Sequence, residues 1–176
     1  MKKKFLAAGL LCTFLALTLS GCKENKKSET KEVEKTAYEE VVEDVLTYSF
    51  NADGEAVTDT MFPEEYYEGL AAYYSEATGV EYSALAIKDM YIELFAEGDD
   101  EYTDLEIDFV DEKEADDDDV NDLDDTYNFR EYGVEPEEAY IVSVKCKYKE
   151  NGEAQSEAIR VFAYKYNDEW YAISVE

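Results

Sequence analysis

The chain contains no histidine. That removes the one side chain whose ordinary titration falls near neutral pH, and with it Ser-His-Asp and Cys-His catalysis. Zinc loses its commonest nitrogen ligand. Cysteine is nearly missing: Cys12, Cys22 and Cys146 are all there is. Too few thiols remain for a Cys-rich metal site. No glycine-rich phosphate loop occurs, and no internal repeat. Positive charge is scarce beyond the first 35 residues. From Thr36 on, eight bases stand against 41 acids, a formal charge of −33. Such a field repels nucleic acid and draws in cations and basic peptides.

What is present begins with a three-part N-terminus. Lys2, Lys3 and Lys4 are followed by the uncharged apolar stretch Phe5 to Leu19. That order is a secretory signal's layout, and the stretch is shorter than the roughly 20 residues of a spanning helix. Leu19-Ser20-Gly21-Cys22 closes it. These four residues resemble the lipobox of bacterial lipoproteins. The resemblance implies that residues 1–21 are a signal peptide cut before Cys22, that the Cys22 thiol carries diacylglycerol, and that the new N-terminus is often acylated (palmitate being a typical chain). It places the protein on the outer face of a cell membrane, in the cell envelope. Each buried CH₂ contributes about 0.8 kcal/mol, so two or more chains anchor firmly. On this reading Cys146 is the one thiol left, and the mature chain relies on its core rather than on disulfides.

Residues 22–35 read as the lipidated cysteine and a tether. From Lys23 to Lys35 there are five lysines, four glutamates and no aromatic residue. Fully extended, the tether reaches roughly 45 Å. Residues 36–176 suit one acidic domain. With 45% hydrophobic and 14% aromatic residues overall, the chain can bury a core despite its charge.

Thr36-Ala37-Tyr38-Glu39 fits a capping box, and Tyr38, Val41, Val42, Val45 and Leu46 recur at helical spacing. Asn51 to Gly54 ends that helix. A second starts at Pro63, is lined by Tyr66, Tyr67, Leu70, Ala71 and Tyr74, and stops at Gly79. A third runs from about Ser83 to Glu97 with a stripe of Ala84, Ile87, Tyr91, Leu94 and Phe95; Gly98 follows. Leu105, Ile107 and Phe109 alternate with acids as in a half-buried strand. Asp117 to Tyr132 reads as a short acidic helix closed by Gly133. A meander ends the chain. Asn151-Gly152 is a two-residue hairpin turn that pairs Val144 with Ile159 and Val142 with Val161. A turn at Asn167-Asp168 pairs Tyr164 with Tyr171 and Phe162 with Ile173. Both faces of this sheet carry apolar residues, so each needs a cover: helices on one, and the acidic helix, a second copy or a ligand on the other. The class is α+β, with N-terminal helices packed on an antiparallel sheet.

That order, ending in Tyr166-Asn167-Asp168-Glu169-Trp170-Tyr171, resembles the cystatin-like cone of nuclear-transport-factor-two-like proteins. It looks most like small Gram-positive lipoproteins of that fold whose function is unknown. The resemblance implies a curved sheet around helices, a cavity at the open end, and a homodimer through the sheet's outer face.

Three functions stay open. The first is non-catalytic binding of a small ligand or basic protein through the cone mouth or sheet face, with Tyr66, Tyr67, Tyr74, Tyr91, Tyr164 and Tyr171 as candidates, since tyrosine suits surfaces with one apolar and one wet side. The second is a carboxylate hydrolase of envelope material, which needs two acids in one cleft. The third is low-affinity divalent-cation binding by Asp116 to Asp125, with Asp117, Asp119 and Asp122 as ligands; an EF-hand loop does not fit, because its sixth and twelfth positions, counted from Asp117, hold Asp122 and Asn128. Neither a cofactor nor nucleic acid is expected. Lys145, Lys147 and Lys149 share one strand face and read as edge protection and charge balance. If lipid alone anchors the chain, Cys22→Ser releases it from membranes in a fractionation experiment; continued tight association contradicts this.

Overall fold

The computed structural model describes residues 35–96 and 102–175, which lie in one compact unit, Glu34–Glu176. The leader, Cys22, most of the tether, Glu97 and Gly98 fall outside the described residues.

Helix α1 spans Ala37–Phe50 and opens on the expected capping box. The Thr36 side chain accepts from the Glu39 N–H, and the Glu39 carboxylate accepts from the Thr36 N–H at 2.7 Å. Four further helices follow: α2 (Gly54–Met61), α3 (Glu64–Thr78), α4 (Ala84–Ala96) and, after strand β1 (Tyr102–Glu114), α5 (Asp117–Tyr127). The chain ends in β2 (Glu138–Glu150), β3 (Glu153–Tyr166) and β4 (Glu169–Val175). The sheet is antiparallel in the order β1-β2-β3-β4. The class is therefore α+β, with the helices largely N-terminal and the meander C-terminal.

The hairpin registers are those expected. Val144 pairs with Ile159, Val142 with Val161, Tyr164 with Tyr171 and Phe162 with Ile173. The turns explain why. Asn151 and Gly152, and likewise Asn167 and Asp168, all have positive φ, as a turn matching the strands' right-handed twist demands.

Both sheet faces are covered, but unequally. Helix α1 crosses the face bearing Tyr140, Val142, Val144, Cys146 and Tyr148. Tyr38 stacks on Tyr140 at 4.4 Å and meets Trp170 at 5.7 Å, while Phe50 packs on Tyr148 at 4.6 Å. On the opposite face only the end holding Ala139, Phe162, Tyr164 and Ile173 is buried. Its cover is the stretch just after α5: the Phe129 ring lies 5.1 Å from Tyr164, whose hydroxyl donates to the Met61 carbonyl at 2.8 Å. The rest of that face is polar. Lys147 reaches Asp108 at 2.7 Å and Lys149 reaches Asp104 at 2.6 Å.

Four expectations need correction. Helix α2 replaces the loop expected after Asn51; Asp53 caps it. Pro63 is the N-cap of α3 rather than its first helical residue. Helix α5 stops at Tyr127, because Asn128 adopts the left-handed cap at φ 54°. The released segment then buries Phe129, Tyr132 and Val134. Finally, β2 is internal, so its lysines protect no edge. They neutralise β1, whose own edge is broken by two register shifts, a device that blocks strand addition.

Helix α4 packs on α2 and α3, and α3 rests on the segment after α5. The contact is tight: a Cβ at Gly69 would lie 2.5 Å from the Tyr132 Cα and carbonyl oxygen. Gly69→Ala is expected to destabilise by about 1–3 kcal/mol, read from urea unfolding. An unchanged midpoint contradicts this packing.

Candidate functional site

The tyrosine pairs of α3 divide. Tyr66 and Tyr67 are 2% and 1% exposed; Tyr73 and Tyr74 are 47% and 41% exposed. Seven residues separate the pairs, so they share a helix face. What differs is the layer beneath. The buried residues of α3 end at Ala71, and its last two turns overhang the core.

The inner pair belongs to an aromatic hub. Phe62 stacks on Tyr66 at 4.2 Å and meets Tyr67, Tyr91, Tyr127 and Phe129 at 5.7–6.1 Å. The Tyr67 hydroxyl donates to the Thr58 carbonyl at 3.0 Å, and Tyr66 donates to the Tyr127 carbonyl at 3.2 Å. Burial pushes both phenols well above the ordinary tyrosine range. Tyr164 is fully buried, its pKa raised for the same reason, and half-buried Tyr171 stacks on it at 5.5 Å. Tyr91 is half-buried, its ring 5.6 Å from Tyr67.

The outer pair is exposed and sits between two less exposed rings. Buried Tyr132 lies 5.9 Å from Tyr73, Tyr73 lies 5.8 Å from Tyr74, and Tyr74 lies 6.0 Å from half-buried Tyr82. Gly79, at φ 71°, ends α3, and the Tyr82 N–H donates to the Ser75 hydroxyl at 2.9 Å. This folds the loop back and brings the Tyr82 ring to Tyr74. On α4, Ala86, Met90 and Leu94 make an exposed row at i, i+4 and i+8. Leu94, expected in the buried stripe, thus faces solvent. Of the large exposed apolar residues, Tyr73, Tyr74, Val80, Leu85, Met90 and Leu94 all fall on α3, α4 or the loop between them; Val110 at a β1 bulge is the exception among the described residues.

Among the described residues, two hollows could take a ligand. A cleft of about 300 Å³ is lined by Phe62, Pro63, Tyr67, Ala84, Leu85 and Tyr171, with Glu64 and the Asp59–Lys88 ion pair among its lining residues. A larger hollow of about 500 Å³ beside α5 has Glu114, Asp117, Glu135, Glu137 and Glu138 among its walls, together with Arg130. That guanidinium donates to Asn121 at 2.9 Å and Asp124 at 3.3 Å. The smaller cleft has the aromatic walls and the few polar groups typical of ligand sites.

Part of the aspartate segment is engaged by the fold. Asp116 caps α5, accepting from the Asp118 and Asp119 N–H groups. Asp119 accepts from Lys113 at 2.8 Å and from the Asp116 N–H, which hold its carboxyl below the usual range. Among the described residues no group of three acids, cysteines or histidines is placed to hold a metal ion. Calorimetry with millimolar Ca²⁺ is expected to show no saturable heat, and saturable heat contradicts these assignments.

No described carboxylate is buried. The Glu157 carboxyl has a raised pKa: burial raises it, the Tyr148 hydroxyl lowers it by a smaller amount, and Glu150 raises it. It pairs across the strands with Cys146, on the face α1 covers and away from both hollows. Burial, then Glu157, pushes the Cys146 thiol up to about 11, which quiets it as a nucleophile.

No family model, curated protein or solved structure matches the chain, so its own geometry carries the functional reading.

A raised folded pKa means that the fold favours protonated Glu157. Its ionised form therefore lowers stability once pH rises above the ordinary 4.5, and below that value nothing is lost. Glu157→Gln is expected to raise Tm near pH 7 and to lose that gain near pH 4. An equal gain at both pH values contradicts the assignment.

Proposed function

We propose that this is a lipid-anchored protein of the outer membrane face, non-catalytic, that binds a partner protein through its α3–α4 side. The observation that carries the reading is the clustering of exposed apolar residues there. Among the described residues, six of the seven large exposed apolar ones lie on α3, α4 or the loop between them. A concentration of exposed apolar side chains on one part of a surface marks an interaction site. The position supports it too. Helices α3 and α4 stand on the outer side of the helical layer, and the two sheet faces are taken up by α1, by the Phe129 segment and by cross-strand ion pairs. A sheet-face dimer would have to displace one of these covers.

A non-catalytic role rests on the residue inventory. A glycosidase-type mechanism needs two carboxyls in one cleft, one of them raised in pKa. Glu157 lies outside both hollows, and the acids that do share a hollow (Glu114, Asp117, Glu135, Glu137 and Glu138) stand at the surface, so the lack of histidine carries the non-catalytic reading.

A second reading is favoured by the cleft at Tyr171, where a small apolar ligand with one polar group would meet Tyr67, Leu85 and the Asp59–Lys88 pair. Its volume is at the low end for ligand sites.

Site-specific photo-crosslinkers in intact cells test the main reading. Placed at Tyr74 or Leu94, they are expected to give a discrete cross-linked product; placed at Ala158, on the polar sheet face, they are not. Products from Ala158 alone, or from no position, contradict it.

A further inference from the structure

Resting on that reading, we infer that the exposed Tyr73–Tyr74 pair of α3, with Tyr82 beside it, and the exposed Met90 and Leu94 of the neighbouring α4 dock a cationic amphipathic segment of the partner, one with arginines or lysines flanking an apolar stripe.

The shape comes from the two exposed pairs. Tyr73 and Tyr74 on α3 and Met90 and Leu94 on α4 lie on neighbouring helices and leave apolar surface open to water. An apolar stripe on a partner buries that surface without disturbing the core, because the α3 residues below Ala71 already have their partners.

The charge comes from what surrounds it. From Glu64 to Ala96 there are seven acids and one base, Lys88, which is paired with Asp59. Glu76 and Glu81 lie between Tyr74 and Tyr82 in the chain, Glu131 precedes Tyr132, and Asp89 and Glu93 directly precede Met90 and Leu94. A guanidinium or ammonium group over a tyrosine face is attracted by the ring, and nearby carboxylates reinforce it. The same charge disfavours the other occupants. A second copy would bring seven more acids against these seven, and an anionic lipid surface would be repelled. The tyrosines and the acids select the same partner chemistry.

Isothermal titration of the full chain from residue 22 on, made without lipid, tests this with three peptides. One is helical with leucines on one face and arginines beside them. The second has the same composition, scrambled so that it has no apolar face. The third exchanges the arginines for glutamates. The first is expected to bind saturably, more weakly as salt rises, and the glutamate peptide not at all. Tyr73→Ala with Tyr74→Ala should weaken the first peptide about tenfold without changing net charge. Tyr73→Phe with Tyr74→Phe should retain it, since the rings make the contact, and Val110→Ala should leave it unchanged. Circular dichroism melts check that each variant folds. Equal binding of the scrambled peptide, indifference to the alanine pair, or self-association abolished by that pair would each overturn the inference. Cross-links at Tyr74 without peptide binding would leave the partner-binding reading standing and remove the cationic one; no cross-links at Tyr74 would remove the reading beneath it.

Discussion

The structure depends on one buried hydroxyl. Tyr164 sits on β3 with no exposed surface, and its O–H donates to the carbonyl of Met61, 103 residues earlier. Around that bond, Phe129, Phe62 and Tyr66 form a continuous aromatic contact from sheet to helices. A buried phenol without a partner is costly, so the bond fixes where the end of α2 meets the meander. The turn at Phe62-Pro63 then sets the departure of α3, and α3 lies against Tyr132. Losing the hub would uncouple α3 and α4 from the rest.

Charge is the second constraint. A domain of −33 folds because its acids stay on the surface and are put to local use. Glu39 and Asp53 serve the starts of α1 and α2, and Asp116 and Asp119 serve α5, where the helix dipole favours negative charge. Asp104 and Asp108 are matched by Lys149 and Lys147 across the β1–β2 ladder. These pairs are exposed and individually weak; their effect is to let a strand of acids sit beside its neighbour. Among the described residues the acids on the α3–α4 side have no such ladder, and the inferred cationic partner rests on that uncompensated charge.

Much of the fold was legible in the sequence, because period and turn chemistry are local. Thr36 to Glu39 announced α1, and Asn151-Gly152 and Asn167-Asp168 fixed every hairpin pair. Helix α2 was not legible. It has eight residues, starts on glycine and contains Val57, Thr58 and Thr60, all poor helix formers; its stability comes from packing on α1 and α4. The stop at Asn128 was hidden because Tyr127, Tyr132 and the residues between continue an apolar rhythm. The tyrosine division was invisible for a different reason. Tyr66, Tyr67, Tyr73 and Tyr74 have the same face and the same identity, and only the extent of the layer beneath separates core from surface. Tyr82 and Tyr132 come to the outer pair through the Gly79 turn and the Asn128 stop, which periodicity does not report.

The central claim is that one aromatic set is divided into an inner hub that holds the fold and an outer pair that is covered by a partner in place. Hydroxyl-radical footprinting, read tyrosine by tyrosine, compares the purified chain with the same protein on cells. In the purified chain Tyr73 and Tyr74 should oxidise readily while Tyr66, Tyr67 and Tyr164 stay protected, and on cells Tyr73 and Tyr74 should become protected too. Equal oxidation of the outer pair in both settings, or rapid oxidation of Tyr164 in the folded chain, would contradict the account.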